Sequence, residues 1–214
     1  VTDAAERAQQ RRLVRRGYDE ISLRYRSDDG QPGSATEATA PYAEWIAELG
    51  AVVPAPATVL DLGCGAGVPA SRLLAARGYD VVGVDISGVQ VSRAQRLVPT
   101  ARFVQADIAD LALRPGCLDA VVSLYTLIHV PLDDQRALFP RLRGWLRTGG
   151  YLLVIVGTTR WTGVEEYQGA PMFWDHPDAA TSLSWLDAAG LAPVWHRFIP
   201  EGASGHTLVL ARAV

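Results

Sequence analysis

The sequence contains no lysine and no asparagine; all 20 residues counted as Lys plus Arg are arginine. No lysine is therefore available as a base or Schiff-base partner, and no asparagine as a metal ligand. Cys64 and Cys117 are too few, and wrongly spaced, for a disulfide framework or a zinc site. Reduced thiols and a cytoplasmic location are the expectation. No apolar run approaches the length of a membrane span, and the charged stretch 1–16 has no apolar core, so neither a targeting nor an anchoring segment is expected. A net charge of -3 argues against a polyanion as the principal partner. With 214 residues, 49% of them hydrophobic, the chain can bury a full core as one domain, and it shows no internal repeat.

The chain is organised around the stretch from Thr58 to Asp85. Val59, Leu60 and Leu62 flank Asp61 on a short apolar run that reads as a buried strand. Gly63, Gly65 and Gly67 follow at alternate positions, where glycine permits a sharp turn and the close approach of a ligand to backbone N–H groups. Val68 to Arg77 reads as a helix whose N-terminus favours an anionic group, and Gly78 ends it. A second strand, Asp80 to Val84, delivers Asp85 at its carboxyl end, where a carboxylate accepts both hydroxyls of a ribose. A dinucleotide site does not require an acid just ahead of its glycines. Asp61, two residues before Gly63, suits a cationic ammonium group instead.

Val-Leu-Asp-Leu-Gly-Cys-Gly-Ala-Gly resembles the first motif of class I S-adenosylmethionine-dependent methyltransferases, and Val-Gly-Val-Asp-Ile-Ser at 82 to 87 is similar to their second. The resemblance runs from about Tyr18 onward. It implies an α/β, Rossmann-like, doubly wound sheet of seven strands, mostly parallel with the last antiparallel, under a helical N-terminal cap. One structural domain is expected, with residues 1–50 as cap or lid and 51–214 as the methyltransferase domain. The resemblance places Asp61 and the loop Gly63, Cys64, Gly65 and Gly67 at the amino-acid end of S-adenosylmethionine, Asp85 on its ribose, Ile86 against its adenine and Gln90 near the ribose.

Residues 2 to 26 hold seven arginines against four acids, with Val14, Tyr18, Ile21 and Tyr25 on one helical stripe. A single amphipathic helix or a broken pair fits, docked on the core with its arginines in solvent. Tyr18 to Tyr25 resembles the segment that folds over the cofactor in small-molecule methyltransferases, which implies that Tyr18, Tyr25 and Arg24 close the sulfonium pocket. Asp28 to Thr36 is turn-rich. Helices are expected over Pro41–Leu49, from the Ser87 cap to about Leu97, over Leu132–Arg147 with a kink at Pro140, and over Pro177–Ala189. Strands are expected at 101–105, 118–124, 151–156, 192–198 and 206–213.

Asp107 follows the third strand and so lies on the same sheet edge as Gly63 and Asp85. By resemblance it accepts from the adenine amino group, with Ile108 donating its backbone N–H to the ring; the alternative is a loop-capping Asp. The fourth strand's end, with Leu124, Tyr125 and His129, meets the cofactor's amino-acid half and the acceptor in the family. His129 is either a structural histidine or a general base, and His176 is the other candidate base. The connection 157–176 carries Trp161, Glu165, Tyr167, Met172, Trp174 and His176, more bulky apolar side chains than a solvated loop should hold. It reads as an acceptor-pocket wall or as a satellite cluster on the domain. With the segment 18–33 it is expected to form a lid. Met-Phe-Trp-Asp-His is similar to a Met-x-Trp-Ser-His segment of bacterial small-molecule members, with Asp175 in place of Ser. His196 and His206 read as surface or satisfied edge histidines.

These features imply metal-independent methyl transfer from S-adenosylmethionine to a small-molecule acceptor, by a monomer or homodimer. Two rivals are a non-methylating cyclase or isomerase on the same fold and, on the strength of the N-terminal arginines, an RNA-modifying or nucleic-acid-binding protein.

Overall fold

A computed structural model describes residues 3–29, 41–202 and 204–214. Strands β1 (Thr58–Leu62), β2 (Asp80–Asp85), β3 (Arg102–Gln105), β4 (Leu118–Ser123), β5 (Leu146–Gly157), β8 (Leu191–Glu201) and β9 (Ser204–Ala213) form one sheet in the order β3-β2-β1-β4-β5-β9-β8. The pairs among β1 to β5 are parallel, and β9 runs antiparallel to both its neighbours. This is the expected doubly wound sheet with its last strand reversed. From β1 the chain winds outward through β2 to β3, then returns to lay β4 on the other side of β1. The resulting crevice at the strand carboxyl ends is where an open parallel sheet binds its ligand.

Successive residues of a strand face opposite sides, and both sides here are covered. Leu60, Leu62, Val121, Leu152 and Val154 pack with α5 (Leu132–Trp145) and α6 (Ala179–Ala188). Val59, Ala120, Val122, Leu153 and Ile155 pack with α2 (Tyr42–Val52) and α3 (Ala70–Ala76). α4 (Gly88–Leu97) starts at Ser87, whose hydroxyl accepts from the Gln90 N–H at 3.1 Å. Pro140 sits inside α5 without ending it. α3 is shorter than expected: it begins at Ala70, after Pro69, and stops at Ala76.

The N-terminal arginine-rich stretch is one unbroken helix, α1 (Ala4–Tyr25), capped by Asp3. Its buried residues Val14 and Ile21 rest on Ala170, Met172 and Phe173. Gly17 permits this approach, since a Cβ there would stand 2.7 Å from Met172 Cε. The surface under α1 corrects the expected loop at 157–176, which is a hairpin of β6 (Trp161–Tyr167) and β7 (Ala170–His176). Gln168 and Gly169 make its turn, both with positive φ, the backbone that a two-residue hairpin matching strand twist requires. Of the expected lid segment 18–33, residues 30–33 lie outside the described residues, as do residues 30–36 of the turn-rich stretch.

Candidate functional site

A cavity enclosing about 960 Å³, its mouth included, opens at the carboxyl ends of β1 to β4 beneath α1. Its floor is the loop after β1. Gly63 has φ +77°, and a Cβ there would fall 2.0 Å from Thr126 Oγ1, so only glycine can carry the chain past the β4 end. The Gly65 N–H donates to Asp85 Oδ2 at 2.8 Å, and the Ser87 N–H to Oδ1 at 2.9 Å. Burial pushes Asp85 up to about 6 against these two bonds. Asp61 is 2% exposed and accepts from the Ser71 hydroxyl at 2.5 Å. Burial raises it to about 6, offset in part by that bond, with Asp85 adding to the rise. Neither acid has an ion-pair partner among the described residues. A buried carboxylate held by one hydroxyl is poorly compensated, and the set fits a ligand that brings its own cation and hydroxyls.

Ile86, Gln90, Asp107 and Ile108 extend the lining toward β3. Gln90 is buried and accepts from the Ser22 hydroxyl of α1 at 2.9 Å through Oε1. Asp107 does cap its loop, accepting from the Ala109 N–H at 3.0 Å, but its other oxygen accepts from Arg11 Nε of α1 at 2.7 Å. The same guanidinium donates to Asp134, which Arg7 also engages. Burial opposes the Arg11 charge, yet the two acids outweigh it and raise its pKa. Arg7 and Arg11 are thus spent on ion pairs, not left in solvent.

Toward β4 the walls are aromatic. Tyr18 and Tyr25 meet edge to face at 5.3 Å between ring centroids. Arg26 stands over both Tyr25 and Tyr42, at 5.2 and 5.5 Å. His129 is 5% exposed; its Nδ1 lies 2.8 Å from the Phe173 carbonyl and its Nε2 2.9 Å from the Tyr18 hydroxyl. The carbonyl accepts only, so Nδ1 carries the proton and Nε2 accepts from Tyr18. Burial lowers His129 to about 4 despite the carbonyl, so the ring is neutral near pH 7. Leu124 and Tyr125 complete this wall. Tyr125 has φ 61° and donates to Glu201 Oε1 at 2.6 Å, while Glu201 Oε2 lies 3.0 Å from His206 Nδ1.

Several expected site residues lie elsewhere. Gly67 closes the loop but is off the lining, its N–H donating to the Cys64 carbonyl at 2.9 Å. Trp161, Glu165, Tyr167, Met172, Trp174 and His176 do not line the cavity either. Pairing as a hairpin fixes alternate residues to opposite faces. Met172 faces α1, Trp161 and Glu165 are exposed, and Trp174 packs on His129 at 4.2 Å and on Tyr167. His176, held below its usual pKa by burial, lies 6.1 Å from His206 between ring centroids. Arg24 reaches the Gln168 carbonyl and Glu20 on the surface. His196 is exposed and His206 is satisfied by Glu201, as expected of a surface and a satisfied histidine; through Glu201 it joins the Tyr125 network. Sequence reasoning missed Arg11, Arg26, Tyr42, Thr126 and Glu201, whose places depend on contacts far apart in the chain.

Comparison with known proteins decides the family. A methyltransferase-domain model matches residues 59–150. Trans-aconitate 2-methyltransferase of Methylobacterium nodulans is 38% identical over 196 residues, covering 80% of this chain and 71% of that protein. The chain belongs to the S-adenosylmethionine-dependent methyltransferases. Among solved structures, 1,6-didemethyltoxoflavin-N1-methyltransferase of Burkholderia thailandensis, bound to 1,6-didemethyltoxoflavin and S-adenosylhomocysteine, superposes with a TM-score of 0.74 at 21% identity, over 100% of this chain and 92% of that one. The [4+2]-cyclase SpnF superposes at 0.72 and 18% identity, over 93% and 94%. One fold thus carries both chemistries, and the fold alone does not choose between them. This methyltransferase-family chain spans about half the length of several curated relatives it matches. Its α1, hairpin, β8 and β9 all lie outside the matched domain.

Proposed function

We propose that this chain transfers the methyl group of S-adenosylmethionine to a small organic acceptor. The observation that carries the reading is a pair of acids without ion-pair partners among the described residues, buried Asp61 and half-buried Asp85, set at adjacent strand ends across the Gly63–Gly67 loop. Asp61 would take the cofactor's ammonium group, Asp85 its ribose hydroxyls, and Arg26 its carboxylate. Asp107 would accept from the adenine amino group, between the apolar side chains of Ile86 and Ile108. S-adenosylmethionine supplies an already activated methyl on a sulfonium, so the chain's own task is to bind, align and exclude water. Tyr18, Tyr25, Tyr42 and Tyr125 offer ring faces that favour a cation.

If the acceptor must lose a proton, Tyr18 is the group placed to take it. Tyr18 lines the cavity, and its own proton would pass to His129 Nε2, whose tautomer the Phe173 carbonyl fixes. His129 would then act through Tyr18 rather than on the acceptor. Arg7 and Arg11 favour a small molecule over a nucleic acid, because their engagement with acids leaves less of α1 to meet a phosphate backbone. Among the described residues no helix is long and apolar enough to cross a membrane. Two free cysteines support a cytoplasmic setting. The test is incubation with S-adenosylmethionine bearing a labelled methyl and fractionated small-molecule extracts, followed by mass spectrometry. A product heavier by one labelled methyl supports transfer; a product of unchanged mass that forms only with the cofactor present indicates a cyclase or isomerase.

A further inference from the structure

Arg11 stands on α1, outside the matched methyltransferase domain, yet it lines the same cavity as Asp107. The Asp107 carboxylate is gripped from two sides, by Arg11 Nε at 2.7 Å and by the Ala109 N–H at 3.0 Å. Arg11 is anchored in turn by Asp134, which Arg7 Nε holds at 2.9 Å. The sheet order sets Asp61, Asp85 and Asp107 at the ends of β1, β2 and β3 in that sequence. With the cofactor's amino-acid end at Asp61 and its ribose at Asp85, only the purine base is left to reach β3.

We propose that Arg11 is the positioning residue for base recognition: by fixing Asp107 it makes the cavity accept a 6-amino purine and refuse a 6-oxo one. The proposal rests on the S-adenosylmethionine reading above. A carboxylate oxygen accepts only; it pairs with the N–H of an exocyclic amino group and faces a 6-oxo group acceptor to acceptor. A carboxylate free to turn could meet the 6-oxo purine through its ring N–H instead, which is why fixing it confers selectivity. The guanidinium suits this task because its fork holds two carboxylates at once in a set geometry, which a point charge does not.

The probes are S-adenosylhomocysteine and S-inosylhomocysteine, its 6-oxo counterpart, titrated by calorimetry into the wild type, Arg11→Met, Arg11→Gln and Arg7→Met, with circular dichroism confirming the fold. The wild type should prefer the adenine compound by on the order of 10- to 100-fold, the range of one hydrogen bond to a charged group. Arg11→Met should reduce that ratio to about threefold or less on the same scale. Arg7→Met disturbs the same ion cluster without touching Asp107, and should keep the ratio. Should Arg11→Met fail to fold, Arg11→Gln, neutral and favourable in a helix, is judged by the same criterion. A wild type indifferent to the 6-substituent, an unchanged ratio in the Arg11 variant that folds, or equal loss in Arg7→Met would overturn the proposal. A wild type that binds neither compound would overturn the cofactor reading itself.

Discussion

The two halves of the cavity are built in opposite ways. The half over β1, β2 and β3 is local and acidic: Asp61 lies near the end of β1, Asp85 ends β2 and Asp107 follows β3, and the short loops beside them supply most of their partners. The half over β4 is assembled from distant pieces and is aromatic: Tyr18 from α1, Tyr42 from α2, His129 after β4, and Glu201 and His206 from the last hairpin. On the proposed reading, one half would present carboxylates to the cofactor. The other, on the same reading, would enclose the acceptor, and its hydrogen-bonded groups, Tyr18 with His129 and Tyr125 with Glu201 and His206, already have partners.

That contrast can be broken first at Tyr18 and His129. If they act as one relay, Tyr18→Phe and His129→Gln should each lower turnover of a proton-losing acceptor by about 10² to 10⁴, with S-adenosylhomocysteine affinity little changed. The double variant should be no worse than the worse single one. Additive losses, or equal losses in cofactor affinity, would make His129 a packing residue. A second break is at the hairpin. Met172 is fully buried against α1, so Met172→Ala should destabilise the fold by about 2 to 5 kcal/mol in urea unfolding, while the folded protein keeps its cofactor affinity. A large affinity loss with unchanged stability would restore the hairpin as a pocket wall.

How much was legible in the sequence divides along the same line. Strand, glycine loop, helix and acid recur within 28 consecutive residues, 58–85, so spacing alone revealed β1, β2, Asp61 and Asp85. The aromatic content of 157–176 points to a loop over a pocket, whereas the Gln168-Gly169 turn between two runs of near-alternating residues makes it a hairpin. Arg11 carried no local mark: its partners lie 96 and 123 residues away, and only the docking of α1 shows that it is spent on them. His206 is a satisfied histidine, as its sequence context suggests, but its partners Glu201 and Tyr125 meet it only once β9 pairs with β5 and β8.

The acidic half sharpens the comparison through pH. Burial raises Asp61 and Asp85 to about 6, yet both must be ionised to hold an ammonium group and ribose hydroxyls. Binding therefore releases protons below that pH, and affinity for S-adenosylhomocysteine should be constant above about 7 and fall as the pH drops through 6. The slope should be about tenfold per pH unit for each carboxylate that must ionise. Calorimetry in buffers of different ionisation enthalpy checks the proton count, and affinity independent of pH between 5 and 8 would show that neither acid meets the ligand.

The most direct test of the whole account is titration of S-adenosylhomocysteine into the wild type and Asp85→Ala at pH 8, beside NADH. The wild type should bind the nucleoside and prefer it to NADH. Asp85→Ala should lose about 1.5 to 3 kcal/mol, roughly 10- to 150-fold, with its fold intact. Equal binding by the two proteins, or tighter binding of NADH, would contradict it.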